Sequence, residues 1–469
     1  MKRILIRSGK SPFYVASQQE FLQKDLIGTN SGNLLFSDAA HKILLTERTE
    51  VTSNGIGTVA TPERAQQINR DYDVFVVPLA NAFRPSFKPN LNKLSALIEQ
   101  LTIPVVVVGV GAQVPEDYDT TRLAPIEASV KRFVKAVLER SASIGVRGEL
   151  TASYLERLGF KRHVEVIGCP SMFLHGDTFP TPRDPGTIDA HSRIAINMSP
   201  GAIAVGDMEG LARHALERFP HLRYYAQNIA DAEVLFWGDT SAVTGPKTRF
   251  PRRLTHPLFA ENRVRVPLDP KTWMDELATY DFAYGTRIHG NIAPLLAGTP
   301  SVVLVHDSRT LELCRYFGIP HRMLSATPAD IHPRELYEQA DYSEMVNGHK
   351  ERFDRFVAFL DRNGLENTFT HGDGGAAYDL RLDALDLPPS LGVWDGSDDG
   401  SLHYRFSRLH ERHTVADRRI DILTKKNNEL QKQLNLMERR LASMERSLPV
   451  RIGPAVRRQV RRRLRPNNN

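Results

Sequence analysis

Cysteine is scarce, with two residues, Cys169 and Cys314, in a chain of 469. Two thiols build neither a disulfide framework nor a four-ligand zinc site, so a reducing compartment is expected. Both lie in apolar contexts and read as buried small hydrophobes. Long hydrophobic runs are missing as well. The longest, Leu101 to Ala112, is broken by Pro104 and two glycines, far short of the roughly 20 residues that a membrane span requires. It reads as a buried strand. The segment Met1-Lys-Arg-Ile-Leu-Ile has a basic start but a three-residue apolar run, too little for the core of a secretory leader, and a cytoplasmic location is expected. Nucleotide fingerprints are incomplete: Gly109-Val-Gly-Ala-Gln113 has neither the third glycine of the dinucleotide motif nor the Gly-Lys-Ser/Thr of a phosphate loop. The acidic triplets Asp71–Asp73 and Asp117–Asp119 suit solvated turns. No metal and no cofactor are expected.

The net charge is +6, but seven arginines (451, 457, 458, 461, 462, 463, 465) fall in the last stretch without one acid, which leaves −1 for all other residues. A near-neutral body without interleaved aromatic and basic residues argues against a nucleic-acid groove. No nucleic-acid partner is expected.

What is present is a repeating alternation of short Val/Ile-rich runs with helical segments, the pattern of parallel sheets covered on both faces. Ile4–Arg7, Val74–Leu79, Pro104–Val110, Ala142–Arg147 and Val164–Gly168 are the strands expected in a first domain, residues 1–185. Past a polar, Pro-rich break at Gly176 to Asp189 the pattern resumes in a second domain, residues 190–363, with Arg193–Met198, Leu222–Gln227, Val264–Val266, Phe282–Gly285 and Ser301–Val305. Glu149–Leu158 is an expected helix stopped by Gly159, and Tyr342 to Arg362 is the last helical candidate of the body. Residues 364–400, rich in Gly, Asp and Pro, are expected to form a largely irregular linker.

Residues 401–448 carry the cleanest periodicity. Phe406, Leu409, His413, Ala416, Ile420, Leu423, Asn427, Leu430, Leu434, Met437, Leu441, Met444 and Leu448 fall at 3–4 spacing on one seam with charged or amide flanks, the signature of a coiled coil. Asn427 on the seam favours a parallel homodimer. In the tail, 449–469, Val456, Val460 and Leu464 keep helical spacing among the arginines, so residues 450–465 are expected to meet an anionic membrane surface.

Two strand-to-helix junctions offer chemistry. In Tyr284-Gly-Thr-Arg-Ile-His-Gly-Asn291, Thr286 to Gly290 is expected to be a loop, with the helix beginning near Asn291 because Pro294 belongs to a first turn. Loops at the carboxyl ends of parallel strands bind ligands. If extended, Arg287 and His289 project the same way: a guanidinium fork for carboxylate or phosphate beside a group that trades protons near neutrality. Gly290 would let backbone approach an anion at a helix N-terminus. In Ser143-Ile-Gly-Val-Arg-Gly-Glu149, Arg147 occupies the same kind of junction, either facing the crevice or pairing with Glu149 or a neighbouring acid.

Across residues 1–330 these segments resemble the polysaccharide pyruvyltransferase family. Pro104–Gln113, Ser143–Gly159, Val166–Leu174 and above all Thr286–Pro300, with its Arg-Ile-His-Gly and Ala-Gly-Thr-Pro, stand in the family's order and spacing. The resemblance implies an α/β fold of two facing Rossmann-like domains, similar to B-type glycosyltransferases, and phosphoenolpyruvate as donor. It implies donor-binding roles for Arg147, Arg287, His289 and Gly290, catalytic roles for Arg287 and His289, and a saccharide acceptor that receives the pyruvyl group as a ketal. Three positions depart from the pattern: Gly148 and Cys169 stand where aspartates are expected, and Gly32-Asn33-Leu34 replaces an N-terminal Gly-Asp. A catalytically degenerate coiled-coil scaffold and a sugar-nucleotide-dependent glycosyltransferase remain the rival readings.

Overall fold

The computed structural model describes residues 1–24, 26–240, 250–396 and 402–447. It divides into two compact units, Met1–Asp395 and Gly396–Asn469.

The first unit is α/β and contains two parallel sheets. β1 (Lys2–Ile6), β2 (Thr49–Ser53), β3 (Val74–Pro78) and β4 (Val105–Val108) pair in the order β2-β1-β3-β4. A bridge from Val110 to Val146 carries this sheet on to β5 (Ile144–Val146) and β6 (Val164–Val166). β3 and β4 are buried along their whole length, which is why they read as continuous Val-rich apolar runs and not as an alternating pattern. The second sheet comprises β7 (Ile194–Asn197), β8 (Arg223–Tyr225), β9 (Val264–Arg265), β10 (Phe282–Gly285), β11 (Ser301–Val305) and β12 (His321–Met323), ordered β12-β11-β10-β7-β8-β9. Every expected strand is present. Two more, β2 and β12, lie at sheet edges with mostly half-exposed side chains.

The two sheets are tied together through the backbone. The amide of Ser308 donates to the Val114 carbonyl at 3.1 Å, Ser31 donates to Gln227 at 2.8 Å and Ile229 to Thr29 at 3.2 Å. After the second sheet the chain returns to the first. In the helix His349–Arg362, Phe356 stacks on Phe173 with ring centroids 4.8 Å apart, and Arg362 forms an ion pair with Glu165. Beyond it, the segment expected to be irregular contains short helices at Thr368–His371 and Ala376–Asp383. Tyr378 is buried there and Asp379 holds Lys42 at 2.7 Å.

Among its described residues the second unit contains one 46-residue helix, Leu402–Ser447, about 70 Å long at 1.5 Å per residue. Its apolar seam faces solvent: Ile420, Leu423, Leu430, Leu434, Met437, Leu441 and Met444 are all exposed. Leu448 and the basic tail at 450–465 lie outside the described residues.

Candidate active site

In open parallel sheets the loops after the strands' carboxyl ends leave a crevice. Here such loops from both sheets enclose a cleft of about 850 Å³. The chain after β1 contributes Arg7, after β3 Arg84, after β5 Arg147, after β10 Arg287 and His289, and after β11 Arg309, and no carboxylate side chain lines the cleft among the described residues. Arg309 is paired with Asp307 at 2.6 Å, whereas the other guanidiniums have no carboxylate partner among the described residues, and such a cluster of cations makes a site for an anion. The like charges feel one another: burial and the Arg309 cation together lower the pKa of Arg84, to about 10, and of His289.

Arg287 is held as the N-cap of the helix Ile288–Leu296. Its amide donates to Asn197 Oδ1 at 2.8 Å and its Nε to the Met198 carbonyl at 2.8 Å, which leaves the two terminal nitrogens for the cleft. Burial lowers it to about 10, so it is still a cation at neutral pH.

The helix starts at Ile288 and not near Asn291, with Pro294 inside it. The expected loop is therefore the helix's first turn. A network replaces local propensity there. Asn291 Nδ2 donates to the carbonyls of Arg287 at 2.7 Å and Gly285 at 3.0 Å, and Asn291 Oδ1 accepts from Ser301 Oγ at 2.9 Å. Buried and satisfied, this asparagine fixes the turn. Arg287 and His289 nonetheless reach the same cleft, by helix geometry and not by strand alternation.

His289 is buried, with Nε2 3.5 Å from Cys169 Sγ and its ring 5.6 Å from that of Phe36. Gly32 makes room for it, since a Cβ there would come within 3.0 Å of Nδ1. Burial first, then Arg147 and Arg309, push its pKa down to about 3. At neutral pH the imidazole is therefore uncharged. Cys169 is thus more than a small hydrophobe, because it contacts the imidazole. Gly290 does not line the cleft. A Cβ at 290 would overlap Gln227 and Asn197, so this glycine admits side chains of its own protein.

Arg147 is fully buried and makes no ion pair with Glu149 among the described residues. Its Nε donates to the Gly109 carbonyl at 3.2 Å, and its Nη2 has no partner. A buried guanidinium nitrogen left unpaired is costly and is what an incoming carboxylate or phosphate would satisfy. Next to it, Gly148 has extended backbone that any residue adopts (φ −177°, ψ −173°). Its side-chain space is taken by Glu312, whose Cγ a Cβ at 148 would overlap. Glu312 comes from the helix Ser308–Phe317, which follows the second sheet. It accepts from the Thr151 amide at 2.7 Å and the Thr151 hydroxyl at 3.1 Å. It thereby performs the N-terminal capping of Glu149–Arg157 that a carboxylate at 148 would perform, and burial raises its pKa to about 7.

Arg7, Arg84 and Arg309 went unrecognised in the sequence. Arg309 had a signal, since it lies in the first turn of the helix after strand β11, at the same kind of strand-to-helix junction as Arg147 and Arg287. The acidic triplets are committed to structure: Asp73 pairs with Arg3 at 2.9 Å and Asp119 accepts from the Thr121 amide at 3.0 Å.

The family model for polysaccharide pyruvyl transferase matches residues 32–308. No curated protein matches significantly. Among solved structures, the S. aureus MnaA–UDP co-structure is 14% identical, covering 83% of this chain and 99% of that one, with a TM-score of 0.39. The Methanocaldococcus jannaschii UDP-GlcNAc 2-epimerase in complex with UDP-GlcNAc and UDP is 12% identical over 77% of this chain and 99% of its own, TM-score 0.41. Anabaena Alr3699/HepE in complex with UDP and glucose is 10% identical over 82% and 100%, TM-score 0.39.

Proposed function

The chain belongs to the polysaccharide pyruvyl transferase family, and we propose that it transfers the pyruvyl group of phosphoenolpyruvate to two hydroxyls of a saccharide, forming a ketal and releasing phosphate. The observation that carries this reading is the cleft lined by Arg84, Arg147, Arg287, Arg309 and His289, with no carboxylate side chain among its described lining residues. A donor bearing both a carboxylate and a phosphate is the ligand such a set of forks suits.

In this reading the donor's negative charge offsets Arg147 and Arg309 and raises the His289 pKa, so that the imidazolium delivers a proton to the donor's methylene carbon. That carbon becomes a methyl group while one saccharide hydroxyl oxygen bonds to C2, and the hydroxyl's proton returns to the imidazole. The bond from C2 to the phosphate oxygen then breaks, the second hydroxyl closes the ketal, and its proton leaves with phosphate. Incubation with carbon-labelled phosphoenolpyruvate and candidate glycans tests this, since phosphate release and label transfer should rise together. Phosphate release without transfer, or neither, contradicts it.

We further propose that Leu402–Ser447 pairs with a second copy as a parallel coiled coil, on the strength of its solvent-facing apolar seam and of Asn427. Truncation after Gly400 should lower the mass seen by light scattering from dimer to monomer. A full-length monomer at micromolar concentration contradicts the pairing. The arginine-rich tail would then hold the dimer at an anionic membrane surface on the cytoplasmic side, two weak attachments combining by avidity. Among the described residues no helix is long and apolar enough to cross a membrane. Full-length protein should sediment with anionic but not neutral vesicles, and truncation after Leu448 should abolish this.

A further inference from the structure

The arginines of the cleft, with His289, fall into two groups. Burial and Arg309 act together on Arg84, Arg147, Arg287 and His289, whereas Arg7 is lowered to about 10 by burial alone. The sheet order explains the separation. Arg7 leaves β1 and Arg147 leaves β5, with β3 and β4 between them, so the two lie three strand spacings apart, about 14 Å at ~4.8 Å per spacing. At the level of the backbone that separation is longer than one small donor.

Arg7 is also unspent. Its Nη2 donates to the Ile56 carbonyl at 3.2 Å, its Nε has no partner, and no carboxylate pairs with it among the described residues. The wall beside it is bare backbone. Gly55 and Gly57 line the cleft with open space where a Cβ would stand, and neither amide donates a hydrogen bond among the described residues. A guanidinium beside unspent backbone N–H groups is a cradle for a tetrahedral oxyanion more than for a planar carboxylate.

We propose that the saccharide acceptor carries a phosphoryl or diphosphoryl group and that Arg7, with the Gly55–Gly57 backbone, binds it at the end of the cleft remote from the donor. This rests on the pyruvyl-transfer reading for the word acceptor, but the anion subsite itself does not. A nucleotide-linked and a lipid-linked saccharide both present this chemistry.

Calorimetric titration of inorganic pyrophosphate into the full-length protein, first loaded with phosphoenolpyruvate, tests it. A further binding event should appear. Arg7→Gln should weaken it about tenfold or more, while phosphoenolpyruvate affinity stays within about twofold, which also reports that the variant is folded. Gly57→Ala, whose methyl meets nothing in the free protein, should weaken pyrophosphate in the same selective way. Pyrophosphate that competes with phosphoenolpyruvate, fails to bind the loaded protein, or ignores Arg7→Gln overturns the proposal. If phosphoenolpyruvate itself does not bind, the donor reading falls, and Arg7-dependent binding of pyrophosphate to the unloaded protein still decides for or against the subsite. UDP and geranyl diphosphate, titrated in parallel, identify the carrier by which of them exceeds pyrophosphate in affinity.

Discussion

His289→Ala should lower turnover by about 10²–10⁴-fold, the usual yield of a positioned proton donor, with phosphoenolpyruvate affinity changed by about threefold or less. With its pKa depressed to about 3 the imidazole is uncharged at neutral pH, so removing it takes little charge away from donor binding. Arg287→Lys should behave differently. Arg287 spends Nε on the Met198 carbonyl and keeps two nitrogens for the ligand; a lysine cannot do both. Donor KM should rise about tenfold or more and turnover should fall with it. Measured kcat and KM for the two variants separate the roles, and unchanged turnover in either contradicts the assignment. The pH profile adds a signed check. The free enzyme's His289 is depressed to about 3, and a bound anion raises it. The kcat profile should therefore fall as pH rises through a pKa higher than that of the free enzyme, and His289→Ala should abolish this limb.

The sequence revealed the strands that are buried on both faces, because there composition and environment agree: β3 and β4 are Val-rich apolar runs with no exposed position. It hid β2 and β12, where Thr49-Glu-Val-Thr-Ser and His-Arg-Met lie at sheet edges and need little apolar character. The helix start at Ile288 was misplaced for a tertiary reason. Pro294 argues locally for a helix beginning three residues later, but Asn291, bonded to two carbonyls and to Ser301, holds the earlier turn in place. Arg147, Arg287 and His289 were legible from junction position. Arg84 and Arg7 were not, because after β3 and β1 the chain enters loops with no periodicity to orient a side chain. The two missing aspartates looked like losses from the sequence alone. Only the tertiary contacts show that one carboxylate has an equivalent, supplied from position 312.

That exchange makes the strongest stability prediction. Glu312→Ala removes the acceptor of the Thr151 amide and hydroxyl in a buried setting, and should cost about 2–3 kcal/mol of unfolding free energy. Gly148→Asp should cost at least as much, not through backbone strain, since φ −177° suits any residue, but because its side chain enters the space of Glu312 and sets two carboxylates together. The double variant Gly148→Asp/Glu312→Ala should recover to within about 1 kcal/mol of the original protein. The new N-cap carboxylate then has both the vacated space and the Thr151 amide as partner. Denaturant unfolding of the four proteins measures the coupling directly, and additive losses in the double variant would refute the exchange. The pH dependence supplies a second sign. Glu312 is raised from about 4.5 to about 7 by burial, so its contribution is full below its unfolded pKa and is lost as pH rises toward and through about 7. Glu312→Gln keeps an acceptor for the Thr151 amide without titrating, and should flatten the stability profile between about pH 4.5 and 7. Because Glu312 spans from the second sheet's helix to the junction that carries Arg147, the alanine variant should also weaken phosphoenolpyruvate binding, and the double variant, which restores the cap but not the tie between the two halves, should restore stability more completely than donor affinity.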